Sequence, residues 1–291
     1  MDNKITDLDI AALDGYRLRA TLFEPSPPLS PVPVVIVNSA MAVRRSFYHD
    51  FSAFLCSKGF AVVTYDYRGI GDSRPEALVG FKARLSDWAE QDYAGVIDWV
   101  AARYPGSRLF TVGHSTGGGI VGLAGNAAAL HGLVLVSAQS AYWRLWPAPR
   151  RYRLAFTFYC LVPAIAAAFG YIPGRFGLGQ DLPRGVALEW ASWCRRPGYM
   201  AGGPDGGRAE QYNRIGAPVL AYSFADDPFA SLASVERLLL LFGGDRIVHR
   251  HIDRDRIRLA GPVGHFGFFK KENRGRFWND AADWLVKEAG G

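Results

Sequence analysis

Short runs of β-branched and aliphatic residues recur along the chain and are separated by segments with helical periodicity. Residues 34–37 (VVIV) contain no polar side chain, and such a strand suits a sheet that is buried on both faces. Comparable runs follow at residues 60–67, 109–112, 133–137 and 219–223. Helical patterns lie between the first of these runs, at residues 48–58, 86–104 and 117–130. The alternation predicts an α/β fold with a doubly wound, mostly parallel sheet flanked by helices.

The two ends of the chain add further elements to this sheet. Residues 8–23 alternate between apolar and polar side chains around Asp14-Gly15, which predicts a β-hairpin with a two-residue turn. Ser86 is the predicted N-cap of the helix at 86–104. Three segments follow the strand at 219–223: a helix at 232–242, an extended segment at 247–259 and a final helix at 273–288.

The alternation stops near Ser140 and resumes at Pro218. Residues 140–214, called the insertion below, are rich in tryptophan, arginine, proline and glycine, and we expect them to be mostly helical. The predicted organisation is therefore a core in two parts, residues 1–139 and 215–291, interrupted by a helical cap or lid at 140–214.

The positive charge of the chain is concentrated in the insertion. The whole chain has 33 Lys and Arg against 27 Asp and Glu, a net charge of +6. The insertion holds ten arginines, no lysine and four acidic residues, which is also +6. A nucleic-acid binder that is basic throughout would look different, so no nucleic-acid partner is expected. The arginines either face solvent or meet an anionic substrate, an anionic lipid or a partner.

Residues 154–173 contain no charged side chain over 20 positions and are flanked by arginines. That length is sufficient to span a bilayer. However, Pro163, Gly170 and Pro173 interrupt the stretch, which favours two short apolar helices packed over a site. A peripheral surface that touches lipid and a true membrane span remain the alternatives.

Three cysteines, Cys56, Cys160 and Cys194, lie far apart and form no C-x-x-C pair. This pattern predicts neither a disulfide framework nor a metal site, and it favours free, buried thiols in a reducing compartment. Residues 1–7 are acidic and lack an apolar segment, so no secretory signal is predicted. Together these features lead us to expect a cytoplasmic protein.

Residues 113–117 (GHSTG) match the pattern G-x-S-x-G. An apolar strand precedes them and a small-residue helical segment follows, which is the context that gives the motif its meaning. A serine at such a strand-to-helix turn is held in a strained backbone geometry, and the helix N-terminus favours the negative charge that develops there. Ser115 is thus the candidate nucleophile.

With this motif and residues 66–73 (DYRGIGDS), the sequence resembles the α/β-hydrolase superfamily, in its lidded, esterase- and lipase-like branch of serine hydrolases. The resemblance implies an architectural role for Asp66 and Arg68. It also implies the chain order serine, acid, histidine. The acid is then Asp227, with its neighbour Asp226 as the alternative, and the base is His265 in the loop GHFGFF.

The resemblance extends to the rest of the site. It implies an oxyanion hole made from the backbone N–H of Thr116 and that of Ala40 or Met41. The remaining histidines are interpreted as packing, turn or edge residues: His49, His114, His131, His249 and His251. The insertion supplies aromatic side chains for an apolar substrate pocket, although ordinary packing would also use them: Trp143, Trp146, Phe156, Phe158 and Tyr159.

These residues predict a hydrolase that cleaves small, apolar carboxylic esters through an acyl-enzyme, with no metal or organic cofactor. Two alternatives remain open. An acyltransferase, or an amidase or peptidase, would use the same triad. A catalytically inactive hydrolase fold would instead serve as a binding module.

Overall fold

The computed structural model describes residues 3–26, 31–177, 179–202, 208–243 and 246–290. Eight strands form one sheet in the order β1-β2-β4-β3-β5-β6-β9-β10. β1 and β2 pair antiparallel, β2 pairs antiparallel with β4, and every further pair is parallel, which confirms the predicted α/β fold. The strands are β1 (Lys4–Ala11), β2 (Arg17–Glu24), β3 (Val34–Asn38), β4 (Ala61–Tyr65), β5 (Leu109–His114), β6 (Gly132–Val136), β9 (Val219–Phe224) and β10 (Ile247–Ile252). A separate two-stranded pair consists of β7 (Tyr171–Ile172) and β8 (Leu182–Pro183).

Helices cover both faces of the sheet. Alternate residues of β3 belong to different apolar cores, with Val34 and Ile36 in one and Val35 and Val37 in the other. This is the arrangement expected of a strand buried on both faces. The α-helices are α1 (His49–Ser57), α2 (Leu85–Asp87), α3 (Ala94–Arg103), α4 (Thr116–Gly119), α5 (Arg150–Phe156), α6 (Val162–Phe169), α7 (Arg184–Cys194), α8 (Arg208–Asn213), α9 (Leu232–Leu239), α10 (Arg254–Ala260) and α11 (Asn279–Gly290). Wider π-helical turns occupy Trp88–Tyr93, Thr157–Leu161 and Arg274–Trp278.

Several predicted boundaries were wrong for local reasons. The strands of the hairpin end at Ala11 and begin again at Arg17, and because Ala12 N–H donates to Tyr16 C=O, the chain reverses through the three residues between them rather than through a two-residue turn. Ser86 is not an N-cap: α2 begins one residue earlier, and the hydroxyl and N–H of Ser86 bind Glu189 of the insertion instead.

Two predicted elements are shorter in the structure than the sequence indicated, and a different secondary structure follows each of them. The helix expected at 117–130 is only four residues long, α4, and continues as short 3₁₀ turns. A ring of the insertion, Tyr212, packs directly on Gly122, and the glycines of this segment favour a helix poorly. The extended segment expected at 247–259 ends at Ile252. Asp253 then caps α10 by accepting the N–H of Arg256 at 2.8 Å.

Asp66 connects the loop after β3 to the loop after β4. Its carboxylate accepts the backbone N–H of Arg45 at 2.7 Å and that of Asp72 at 3.0 Å, and it also pairs with the Arg45 guanidinium. The side chain is buried and fully engaged. Its role is therefore architectural, as expected.

Arg68, two residues after Asp66, has a similar structural role. Its guanidinium pairs with Asp14 of the hairpin loop at 2.6 Å and with the buried carboxylate of Asp92 at 2.6 Å. These contacts join the N-terminal hairpin to the segment that leads into α3.

The insertion leaves the sheet after β6 and returns to it at β9. α5, the π turn Thr157–Leu161 and α6 form one helical stretch, Arg150–Phe169, in place of the two short helices expected. A proline does not break it, because Pro163 follows the wider π turn and lies in the first turn of α6. Gly170, with φ of 74°, ends the stretch.

The three free cysteines differ in burial. Cys56 and Cys194 are buried, as expected, whereas Cys160 is exposed on the helical stretch of the insertion.

Candidate active site

Ser115 lies at a tight turn between β5 and α4. Its backbone has φ of 52° and ψ of −121°, a conformation that non-glycine residues rarely adopt, and its side chain is buried. The flanking glycines make the turn possible. A Cβ at Gly113 would lie 2.4 Å from the Cα of Gly118, and one at Gly117 would lie 2.4 Å from the carbonyl oxygen of Ser39. The strained turn predicted from the motif is therefore present.

His265 and Asp227 are hydrogen-bonded to each other. His265 Nδ1 lies 2.8 Å from Asp227 Oδ2 and 3.0 Å from Oδ1. The backbone N–H groups of Phe229 and Ala230 donate to Asp227 Oδ1 at 2.7 and 3.0 Å, which fixes the carboxylate. Asp226 instead accepts the N–H of Val263 at 2.8 Å. Of the two acidic candidates, the structure brings Asp227 to the histidine.

The turn at Ser115 and the loop of His265 are joined through the residue before the serine. His114 Nε2 lies 2.9 Å from the carbonyl oxygen of His265, and the two imidazole rings are 5.1 Å apart. Within the described ranges, no hydrogen bond links the Ser115 hydroxyl to the His265 ring itself. In enzymes without substrate this bond is often long, and it tightens in the complex.

A buried chain of hydrogen bonds runs from His114 to the loop after β3. The N–H of Ala40 donates to Tyr48 Oη at 2.8 Å, and Tyr48 Oη lies 2.8 Å from His114 Nδ1. The carbonyl of His265 can only accept, so His114 carries its proton on Nε2 and accepts from Tyr48 on Nδ1. Burial lowers the pKa of His114 well below its ordinary value, which favours this neutral form.

This chain of bonds corrects one predicted site residue. The N–H of Ala40 is used by Tyr48 and is not free for an oxyanion, so the assignment of Ala40 was wrong. In the part of the chain that the structure describes, the N–H groups of Met41 and Thr116 have no protein acceptor. Met41 and Thr116 therefore remain the predicted donors.

Asn38 holds the loop after β3 against α4. Its side-chain nitrogen donates to the carbonyl of Gly117 at 3.3 Å, and its oxygen accepts from Tyr65 at 2.8 Å. All three residues are buried. The contact places the loop that carries Met41 next to the helix that carries Thr116.

Residues of the insertion contact both the loop after β3 and the helix α4. The N–H of Gln180 donates to the carbonyl of Ala42 at 3.0 Å, and Tyr212 Oη donates to the carbonyl of Gly119 in α4. The side chain of Met200 also packs on Gly119. The insertion thus contacts the loop after β3 on one side and α4 on the other.

The predicted pocket aromatics separate into two groups. Trp146 and Phe158 are buried, and the Phe158 ring packs 5.0 Å from Trp190 within the insertion. Phe156 and Tyr159 are 62% and 51% exposed on the outer side of the helical stretch, so placing them in a pocket lining was wrong. Their helix turns its other side inward.

Trp143 is partly buried, with the Arg144 guanidinium 4.9 Å from its ring. Sequence reasoning missed Phe229, whose ring lies 5.2 Å from that of His265. It also missed Tyr48, which is 66 residues from His114 in the sequence. No local pattern could have indicated either contact.

Over the described residues, no cluster of three or more His, Cys, Asp or Glu forms a candidate metal site.

Comparison with known families agrees with this fold. Residues 34–286 match the family model described as the alpha/beta hydrolase family. The match covers most of the chain, and the chain therefore belongs to the alpha/beta hydrolase family.

A curated relative matches a shorter segment. The quorum-quenching protein AidA of Acinetobacter baumannii is 29% identical over 111 residues, which is 37% of this chain. The alignment spans only 35% of the length of that relative.

Solved esterase structures share the fold over almost the whole chain. Est1E from Butyrivibrio proteoclasticus, with ferulic acid bound, has a TM-score of 0.65 at 15% identity and covers 98% of this chain and 100% of its own. A thermostable carboxyl esterase from Bacillus coagulans, in complex with glycerol, has a TM-score of 0.64 at 14% identity, with coverage of 98% and 99%. An esterase domain from a Rhodothermus marinus protein has a TM-score of 0.60 at 15% identity, again with coverage of 98% and 99%. At these identities the likeness shows the fold.

Proposed function

We propose that this chain hydrolyses carboxylic esters, with Ser115 as nucleophile, His265 as general base and Asp227 as the acid that orients it. The observation that carries the proposal is the strained serine turn beside a buried His265–Asp227 pair, fastened together through His114. A serine hydroxyl needs a neighbouring base, and the base needs a third group that fixes its orientation. The esterase fold of the solved relatives supports an ester as the substrate class.

The proposed reaction proceeds in two halves. His265 removes the proton of Ser115 as the hydroxyl oxygen attacks the ester carbonyl, and Asp227 stabilises the imidazolium that forms. The N–H groups of Met41 and Thr116 stabilise the oxyanion. His265 then protonates the leaving alcohol, and an acyl-enzyme remains. Water attacks the acyl-enzyme with His265 again as base, and the free acid leaves.

The insertion is proposed to act as a lid. It contacts the loop of Met41 and the helix of Thr116, so it borders the place where the ester would bind. An enclosed site excludes water and strengthens the hydrogen bonds to the oxyanion.

Covalent labelling with a fluorophosphonate tests the nucleophile. We expect one adduct, mapped to Ser115 by mass spectrometry. Ser115→Ala should lose it and should lose at least about 10³-fold in turnover of short-chain p-nitrophenyl esters. Ser107→Ala is the matched control, since Ser107 precedes the opposite end of β5. An unlabelled wild-type protein would remove the proposal.

A second pair of variants tests the choice between the two acids. Asp227→Asn should lower kcat/KM by about 10³–10⁴-fold, because the amide favours the wrong imidazole tautomer. Asp226→Asn should change it by less than about tenfold, since that carboxylate binds Val263 N–H instead. Equal losses in the two variants would contradict the assigned roles.

A further inference from the structure

The outward side of the helical stretch Arg150–Phe169 is largely exposed to solvent. The stretch is 20 residues long, and only 17% of its most apolar 18-residue window is buried. Phe158, Val162 and Ala166 are buried at intervals of four residues, so one narrow side packs on the protein. The rest of the helix is in contact with solvent.

The exposed side is apolar. Phe156, Tyr159, Leu161 and Phe169 are all exposed there, and Phe176 is exposed in the following turn. A surface helix of a globular protein normally carries charged or polar residues on its outer side. Here no charged side chain occurs between residues 154 and 173. A continuous exposed apolar surface of this kind indicates an interaction site.

Arginines surround this apolar face. Three lie at its N-terminal end, Arg150, Arg151 and Arg153. Arg175, beyond the C-terminal end, has its guanidinium 5.4 Å from the ring of Phe169, and Arg195 lies 5.3 Å from the ring of Tyr159. Among the ion pairs of the described residues, none involves any of these five arginines. The rim is therefore cationic, and no ion pair within the described residues neutralises it.

Two acidic side chains of the insertion already have partners. Asp181 pairs with Arg74 of the core at 2.8 Å, and Glu189 accepts the N–H of Ser86 at 2.8 Å. Both carboxylates serve to attach the insertion to the core. Arg175 is near enough to help lower the pKa of Asp181, whereas the other four rim arginines form no ion pair within the described residues and remain available to an external partner.

We propose that this apolar face, with its arginine rim, lies on an anionic lipid surface. Aromatic and aliphatic side chains suit the boundary between head groups and acyl chains, and arginines beside them bind lipid phosphates. A second copy of the chain fits less well. Both ends of the stretch are cationic, so parallel and antiparallel pairing each bring arginine against arginine. A helix that spans the bilayer would have to detach the side that carries Phe158 from the protein.

Vesicle sedimentation tests the proposal without reference to catalysis. The full-length protein is mixed with vesicles of phosphatidylcholine, or of equal parts phosphatidylcholine and phosphatidylglycerol. We expect binding to the anionic vesicles that falls as salt is added. Binding to both vesicle types alike, or to neither, would overturn the proposal whether or not the chain hydrolyses esters.

Charge variants identify the surface that binds. Attraction to an anionic membrane is worth about fivefold per arginine. The triple variant R150Q/R151Q/R153Q should therefore lower the partition coefficient by about 100-fold. The matched control is R254Q/R256Q/R258Q, which removes three exposed arginines from α10 in the core. If the control lost as much binding, net charge alone would explain it and the assigned face would be wrong.

Apolar variants test the other half of the surface. F156S/Y159S should lower binding at least about tenfold, because two rings no longer enter the lipid boundary. L259S is the control, since Leu259 is exposed on α10 away from the insertion. Circular dichroism and thermal unfolding verify that each variant is folded. Undiminished binding of the folded double variant would refute the proposal.

Two further outcomes would replace the lipid surface with another partner or arrangement. Protein that stays with the membrane after alkaline carbonate washing would indicate a spanning helix. A dimer in sedimentation velocity that F156S/Y159S dissociates would indicate a second copy as the occupant. We expect the protein to be monomeric in sedimentation velocity and to be released completely from the vesicles by carbonate.

Discussion

Replacing Tyr48 with phenylalanine removes the hydroxyl that connects two loops of the site. This hydroxyl accepts from Ala40 N–H and lies 2.8 Å from His114 Nδ1. The ring would remain, with its edge contacts to Phe47 and Phe269 at 5.1 and 4.8 Å between centroids. Tyr48→Phe therefore tests the hydrogen bonds and leaves the apolar packing in place.

The structure gives the size of the expected loss. Ala40, Tyr48 and His114 are all fully or almost fully buried, so water does not replace the missing partner. Leaving a buried polar group unpaired costs about 1–3 kcal/mol, and here two groups are left. We expect the free energy of unfolding to fall by about 3 kcal/mol, after allowance for relaxation of the loop.

Tyr93→Phe is the matched control for this loss. Tyr93 is equally buried, but its hydroxyl contacts a single side chain, that of Thr111 in β5. One unpaired group should cost about 1 kcal/mol. The difference between the two variants isolates the second bond made by Tyr48.

Urea denaturation followed by circular dichroism measures both losses, and the rate of fluorophosphonate labelling reports on the site. Tyr48→Phe should slow labelling of Ser115, because the loop that carries Met41 is no longer fixed to His114. Tyr93→Phe should leave the labelling rate unchanged. If Tyr48→Phe cost no more than Tyr93→Phe and labelled at the wild-type rate, the hydrogen-bond chain would have no energetic role.

Three further substitutions have outcomes set by single contacts. Gly117→Ala should lower the melting temperature, with a cost of about 1–3 kcal/mol, because its Cβ would strike the carbonyl of Ser39; an unchanged melting temperature would show that the turn adapts. Arg68→Met should lower the free energy of unfolding by about 3–5 kcal/mol in urea, since it leaves Asp92 buried without its partner; a loss under about 1 kcal/mol would contradict this. Burial lowers the pKa of His114 below its value of 6.5 in the unfolded chain. The contribution of His114 to the free energy of unfolding should therefore be fully present above pH 6.5 and should decline below it by up to about 1.4 kcal/mol per pH unit. His114→Gln should remove that part of the slope in denaturation at successive pH values, and equal slopes would refute the reasoning.

The sequence allowed much of the sheet and part of the site to be predicted, because both depend on local patterns. The apolar run at 34–37 can be satisfied only between two covered faces, and β3 is placed there. The glycines around Ser115 mark a turn that excludes a Cβ, and that turn is present. The resemblance to the α/β-hydrolase superfamily implied His265 and Asp227, with Asp226 as the alternative, and the structure brings His265 to Asp227.

Other features depend on contacts between distant segments and left no local signal. The helix expected at 117–130 is cut short where Tyr212 of the insertion packs on Gly122. The amide of Ala40 is occupied by Tyr48, a residue that sequence reasoning treated only as the start of a helix. In both cases a tertiary contact outweighs the local preference, and periodicity carries no information about it.

The position of the charge in the fold decides what that charge can act on. The insertion accounts for the whole net charge of +6, which at the level of sequence is compatible with an anionic substrate. The structure places Arg150, Arg151 and Arg153 at the end of a helix whose exposed side faces away from the core. Charges on an exposed surface are screened within about 8–10 Å at physiological salt. Their effect should therefore fall on whatever contacts the outer face. Under the proposed function, we expect uncharged groups near His265, such as Phe229, to set the selectivity for the ester.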